Sequence, residues 1–201
     1  MRDVSAYMVD GSRVHSVTEI LGAANIESYV GVAQDVLEAK AILGQRVDAY
    51  CSYLDTGLKL NKPPDAEALP YVEAYLLFCR ENRFRLRWTD KVVISKAYRY
   101  AGTLDCAGYL RASDKPDDLF VIDRKCVVTV TAATALQTAG YAIALAEQEN
   151  TKVKRRAALQ LKPDGTYKLK QFHRDNDRAD FLACNRVAHW KVNNKLTTPG
   201  E

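Results

Sequence analysis

Ala101-Gly102-Thr103-Leu104-Asp105 and Phe120-Val121-Ile122-Asp123-Arg124-Lys125 are the two stretches that decide the fold. Both are apolar, β-branched and aromatic runs interrupted by acids, the pattern of strands. Asp123 and Lys125 stand two apart, and in a strand such positions share a face. The other acid-x-lysine triplet, Glu38-Ala39-Lys40, falls in a helical pattern, where positions two apart diverge. Only Asp123 and Lys125 can therefore aim at one point. An antiparallel hairpin closed by Ala112-Ser113-Asp114-Lys115-Pro116, centred on Asp114, gives opposed residues a number sum of 228. Asp105 then stands across from Asp123, with Cβ atoms about 5 Å apart. Around them the hairpin is apolar, with Leu104, Leu110, Phe120 and Ile122 on one face and Ala107, Tyr109, Leu119 and Val121 on the other. Facing carboxylates in such a sheet repel and resist desolvation. A bound divalent cation offsets that cost, and hard Mg²⁺ favours oxygen ligands. The plainer alternative leaves Asp105 in water at a sheet end and Asp123 in a salt bridge with Lys125.

Outward from this hairpin the elements fall in order. Ser16-Val17-Thr18-Glu19 is a capping box opening a short helix that ends near Gly22. A longer helix fits Gln34 to Asp55, with Val36, Leu43, Val47, Tyr50 and Leu54 on one stripe. A further helix, with Pro70 near its start, runs to about Arg83 and carries Tyr71, Tyr75, Leu76 and Phe78. Arg83 to Trp88, Lys91 to Ser95, Tyr100 to Arg111 and Leu119 to Cys126 read as strands. Thr131 to Gln148 is an alanine-rich helix. Val153 to Leu161 and Tyr167 to Phe172 form a hairpin about Pro163-Asp164-Gly165. Asp175 to about Asn194 is an amphipathic helix carrying Phe181, Leu182, Val187 and Trp190. The expected class is α/β (α+β), a central mixed sheet flanked by helices. One domain is expected over 1–201: a helical part at about 16–83, a sheet and crossover helix at about 84–148, and a hairpin and helix at about 153–195.

The 201 residues are 47% hydrophobic and 27% charged, which excludes disordered and fibrous classes. Five cysteines, an odd number with no C-x-x-C pair, argue for reduced thiols in a cytoplasmic setting. The N-terminal stretch lacks a secretory apolar core. Val127 to Ala146 carries no charge, but its threonines, Gln137 and alanines suit a buried helix better than a membrane span. The net charge of +4 conceals segregation. Residues 151–195 hold 12 basic and 4 acidic side chains, and residues 80–99 hold 7 and 2. The remainder nets −9, as expected of a polyanion-binding face beside a carboxylate site.

The order Gly102-Thr103-x-Asp105, Asp123-x-Lys125 and Gln137-x-x-x-Tyr141 resembles the PD-(D/E)XK nuclease superfamily, in its RecB-like and phage exonuclease branch. Ser16 to Leu21 resembles the opening helix of phage members, and Leu161 to Tyr167 with the Trp190 helix resembles their closing hairpin and tail. The resemblance implies Asp105, Asp123 and the Arg124 backbone carbonyl as Mg²⁺ ligands, with Mn²⁺ a substitute. It implies Lys125 as the residue that orients or activates water, and Gln137 and Tyr141 as residues lining the site. It also implies DNA as substrate, exonucleolytic cleavage, a homo-oligomer and a recombination partner protein.

Departures accompany the likeness. Asp48 occupies a position where many relatives carry histidine, and Asp90 is the nearest equivalent of a further acidic ligand. Cys126-Val127 replaces Thr-Gly, and Cys184 stands alone, so no iron–sulfur cluster is expected. Lys152, Lys154, Arg155 and Arg156 become candidate phosphate contacts beside such a site, as do Arg85 and Arg87 on an alternating strand. The expected function is a Mg²⁺-dependent DNA exonuclease. The alternatives are a catalytically silent nucleic-acid-binding protein of the same fold and a structure-specific endonuclease.

Overall fold

The computed structural model describes residues 7–26 and 34–197; the first six residues of the N-terminal stretch lie outside them. Three two-residue strands, β1 (Met8–Val9), β2 (Ser12–Arg13) and β3 (His15–Ser16), lead into helix α1 (Val17–Ala23). Helices α2 (Gln34–Asp55) and α3 (Leu69–Glu81) follow, then strands β4 (Phe84–Ser95), β5 (Tyr100–Leu110) and β6 (Leu119–Lys125). Helix α4 (Ala133–Gln148), the hairpin β7 (Val153–Leu161) and β8 (Tyr167–Gln171), and helix α5 (Asp177–Asn193) complete the chain. The capping box forms: Glu19 N donates to Ser16 Oγ and Ser16 N to a Glu19 carboxylate oxygen. Gly165 adopts φ +77 in the β7–β8 turn, a conformation that costs other residues energy.

The sheet has six strands in the order β3-β5-β6-β7-β8, with β4 also paired to β5. It is mixed: β3–β5 and β6–β7 are parallel and the other pairs antiparallel. One apolar cluster joins α1, α4 and α5 to one face, through Ile20, Val121, Leu145 and Phe181. A second joins α2 and α3 to the other, through Val47, Phe78, Phe120 and Leu159. The sheet is thus the middle of three layers, as the helix–strand order predicts.

The hairpin register is the expected one, with Cys106 opposite Ile122 and Ala107 opposite Val121. The face assignment of Leu104 needs correction. Tyr100 and Leu104 pack in the same cluster as Ala107, whereas Cys106 and Leu110 pack in the other, so face alternation slips by one residue near Asp105. The expected strands over 83–88 and 91–95 are one strand, β4. β4 pairs with β5 in unbroken register on both sides of Asp90, which is left-handed at φ 46, and its register shifts by one residue between Leu86 and Trp88. Four inward placements also fail. Val36, Leu76, Val187 and Trp190 are exposed, because α2, α3 and α5 each turn a narrower face inward than periodicity alone suggests.

Candidate active site

β4 pairs along the whole of one edge of β5. The opposite edge is shared by β6, at residues 106–109, and β3, at residues 100–101. Between them lies Gly102–Asp105, where β6 parts from β5. The ladder does not simply end there: Arg124 N donates to Asp105 Oδ2 at 2.8 Å, a side-chain bond in place of a backbone one. The fork thus places Asp105 beside Asp123 on the next strand. Both carboxylates are buried.

Lys125 and Asp123 share a face, and Lys125 Nζ lies 3.0 Å from Asp123 Oδ2. The contact is an ion pair without hydrogen-bond alignment, so Asp123 Oδ2 is buried with no aligned donor. The lysine is held from α4 instead. Its Nζ donates to Gln137 Oε1 at 3.0 Å, and Gln137 Nε2 in turn contacts Tyr141 Oη at 3.3 Å. The four-residue helical spacing of Gln137 and Tyr141 makes this chain possible. Glu147 fixes the far end of α4, accepting from Lys96 N at 2.9 Å and Ala97 N at 3.0 Å in the β4–β5 turn.

Electrostatics follow from this burial. Desolvation pushes the Asp123 carboxyl up to about 7; Lys125 opposes the shift and Asp105 adds to it. For Lys125, burial disfavours the charge, but Asp123 and Asp105 outweigh burial and hold its pKa above the ordinary lysine value. Burial, reinforced by Asp123 and Asp105, raises Tyr141 as well. At neutral pH the site therefore presents an ammonium and a phenol, both protonated, against a carboxylate poised to ionise.

Gly102 explains part of the Gly-Thr pair. A Cβ there would lie 2.7 Å from Tyr141 Cε1 and 3.2 Å from a Val17 methyl. Gly102→Ala is expected to displace the Tyr141 ring and cost about 1–3 kcal/mol by overpacking. The loss should show as a lowered Tm and a weakened tyrosine contact at Gln137. An unchanged Tm would mean that the ring moves freely and is not positioned by this strand.

The other sequence candidates are placed differently. Arg124 is more than a carbonyl donor: its side chain leaves on the α2–α3 face, where Nε and Nη2 both reach Asp48 Oδ1 at 2.8 Å. Nη1 meets Asp55 Oδ2 at 3.0 Å and Nη2 meets Ser52 Oγ at 2.7 Å. The structure thus gives Asp48 an arginine partner. Asp90 lies level with Asp105 in the β4–β5 register, between the Thr89–Cys106 and Lys91–Leu104 pairs, and is exposed. Arg85 and Arg87 are exposed on β4, and Arg87 stacks on Trp88 with Cζ 4.4 Å from the ring centroid.

The basic run lies at the other end of the sheet from Asp123, because β7 starts level with Leu119 and reaches Asp123 only at Ala158. Arg156 is buried, its guanidinium 2.9 Å from Asp177 and donating to the Ala135 and Arg174 carbonyls, so it ties α4, β7 and α5 together. Lys154 and Arg155 both pair with Asp118, at 2.8 and 3.1 Å, while Lys152 is exposed. In place of Thr-Gly, the segment after Lys125 is secured by Gln160, whose Nε2 donates to the Val127 and Val128 carbonyls at 2.9 and 2.6 Å.

Sequence reasoning missed Ser52, Asp55 and the Arg124 side chain. The signal was present: Asp48, Ser52 and Asp55 form a polar stripe at helical spacing on a helix that also buries Leu43, Val47 and Cys51.

Among the described residues, no group of three or more His, Cys, Asp or Glu side chains is placed to hold a metal ion. Two carboxylates, one with an oxygen lacking an aligned donor, still suit Mg²⁺, which keeps several waters and commonly takes one or two protein carboxylates. No helix among the described residues is long and apolar enough to cross a membrane.

No family model matches this sequence, and no curated protein matches it. Among solved structures, a crystal structure described as a candidate exonuclease from Eubacterium rectale aligns with a TM-score of 0.57. The match has 13% identity and covers 92% of this chain and 83% of that one. The fold is shared. An alkaline exonuclease from Laribacter hongkongensis aligns with a TM-score of 0.44 and 11% identity, over 90% of this chain and 94% of that one. A mixed sheet between helical layers is thus the architecture of this chain and of the Eubacterium rectale structure alike.

Proposed function

We propose that this protein is a Mg²⁺-dependent deoxyribonuclease that degrades linear DNA from its ends. Asp105, Asp123 and the Arg124 carbonyl would hold the cation, and Lys125, Gln137 and Tyr141 would surround the scissile phosphate. The observation that carries this reading is the Asp123 carboxylate, buried beside Asp105 and Lys125 with one oxygen lacking an aligned donor. Such a group is costly to keep unless it has work to do. A divalent cation would supply Lewis acidity to the phosphodiester and to the attacking water. Lys125, keeping its proton, stabilises negative charge growing on the phosphoryl oxygens, and Gln137 fixes where that ammonium sits. Tyr141, also protonated, keeps a hydroxyl donor at the same wall.

Labelled linear and closed circular duplex DNA, incubated with Mg²⁺, Mn²⁺ or EDTA, tests the proposal. Metal-dependent loss of linear DNA with circular DNA spared is expected. Cleavage of the circle would move the reading to an endonuclease, and retention without cleavage to a binding protein.

A pH dependence follows from Asp123. Its folded pKa, about 7, lies above the ordinary 3.8, so the folded state holds this proton more tightly than the unfolded state. The stability this group contributes is full below about pH 4 and is lost as pH rises towards 7. A cation that binds the ionised carboxylate offsets the loss. The Mg²⁺-induced rise in Tm should therefore be small at pH 5.5 and grow by pH 8 to roughly 5–10 °C at 100-fold Kd. Asp123→Asn should remove this growth; a pH-independent rise would place the cation elsewhere.

A further inference from the structure

Strand pairing carries the cleft sideways from its carboxylates. Asp123 on β6 is level with Ala158 on β7, and Ala158 with Lys170 on β8. The next row is Lys125, Gln160 and Lys168. This row pair faces α4: the intervening Ala157, Leu159 and Leu161 pack in the α2–α3 cluster, and Lys170 Nζ donates to the Val130 carbonyl just before α4 at 3.3 Å. Lys168 and Lys170 are both exposed. At two strand spacings, Lys170 stands about 10 Å from Asp123.

Lys170 also opens a cavity of about 590 Å³ between the start of α4, the end of β8 and the start of α5. A second cavity, of about 650 Å³, shares Phe172, His173 and Arg174 with the first and ends among Lys152, Lys154 and Arg178. Joined at the three shared residues, the two cavities make a trough from Lys170, level with Asp123 across the sheet, to the basic end of β7. Of its carboxylates, Asp177 is offset by Arg156 at 2.9 Å and Asp180 by Arg174 at 3.4 Å, while Asp175 lies exposed at the basic end, where it is outnumbered by Lys152, Lys154 and Arg178. Midway stands Phe172, half-buried, with Lys170 Nζ 5.7 Å from its ring centroid. A cationic groove with an aromatic platform is the chemistry that holds single-stranded nucleic acid.

We infer that this trough is the track of one nucleic-acid strand, with Lys168 and Lys170 taking the phosphates nearest the scissile bond and Phe172 offering its ring to a base. The inference rests on the nuclease reading for its direction, since that reading makes the β6 end the catalytic one. The sideways step of about 10 Å and four residues of β7 give a track of roughly 20 Å, on the order of six nucleotides at the stacked rise of 3.4 Å.

Fluorescence anisotropy of labelled oligothymidylates of four, eight and sixteen nucleotides, in EDTA and across a salt series, tests it. Affinity should rise from four to eight nucleotides and then flatten. Lys168→Ala/Lys170→Ala should weaken binding about tenfold and lower the slope of log K against log salt by about 1.4, two contacts at 0.7 each for single strands. Lys62→Ala, in the loop before α3, should bind as the parent does. The track is overturned if the parent does not bind, if the double variant keeps the parent's affinity and slope, or if Lys62→Ala loses as much. Binding with the expected slope change but no metal-dependent cleavage would uphold the track and remove the nuclease reading.

Discussion

Asp123→Ala and Lys125→Ala are each expected to reduce metal-dependent hydrolysis of linear DNA by at least about 10³-fold, or roughly 4 kcal/mol of transition-state stabilisation. The first removes the carboxylate whose buried oxygen has no aligned donor. The second removes the ammonium held at 3.0 Å by both Asp123 and Gln137. Their effects on stability should differ in sign. Asp123→Ala deletes a carboxyl that burial already pushes towards its neutral form, so the metal-free protein should keep its Tm or gain slightly. Lys125→Ala strips that carboxyl of its compensating charge and should lower Tm at pH 8 more than at pH 5.5, where Asp123 can take up a proton. Activity that survives in either variant would sink the site assignment. Equal Tm losses in the two would mean that the pair is structural.

The second large effect belongs to Arg124, on the opposite face of the same strand. Arg124→Ala should cost about 3–5 kcal/mol, because it leaves Asp55 and Asp48 without their guanidinium in a largely buried site. For a chain of this size that is a fall in Tm of roughly 6–20 °C. Arg124→Lys should recover little, since an ammonium cannot reach Asp48, Ser52 and Asp55 from one planar fork. Adding Asp55→Asn to Arg124→Ala should restore part of the loss by removing a buried charge left with only the Tyr75 and Thr89 hydroxyls as donors. A fall of only a degree or two in the single variant would show that water and the Tyr75 and Thr89 hydroxyls, which already donate to Asp55, suffice for these carboxylates. This network also bears on the candidate active site, because Arg124 N donates to Asp105 Oδ2 while its side chain anchors α2. A lesion there should loosen the fork between β5 and β6.

The cleft is therefore built from two faces of one short strand. Asp123 and Lys125 look towards α4, and Arg124 between them looks towards α2. The alternation that brings two charges to one point necessarily sends the middle residue through the sheet. Desolvating three charged groups in succession is affordable only because each meets a partner of opposite sign or a ring of polar groups: Gln137 and Tyr141 on one side, Asp48, Ser52 and Asp55 on the other.

Much of this was open to reading from the chain. The capping box, the 228 register of the β5–β6 hairpin, the β7–β8 turn and the pairing of Gln137 with Tyr141 are local rules. Each depends on residues a few positions apart or on a turn of fixed length, so sequence by itself determined them. Tertiary structure decided the rest, because it depends on which elements meet across the sheet. The slip near Asp105 shows only in which helical layer Leu104 and Cys106 each meet. The burial of Arg156 needs Asp177, and the fate of Asp48 needs Arg124. The basic run, adjacent in sequence to the crossover helix, lands at the far end of the sheet because β7 runs parallel to β6 and must start beside Leu119. A parallel crossover returns the chain to the beginning of its neighbour, so charges next to the site in sequence are carried a strand's length away, and lysines on β8 take the places beside it.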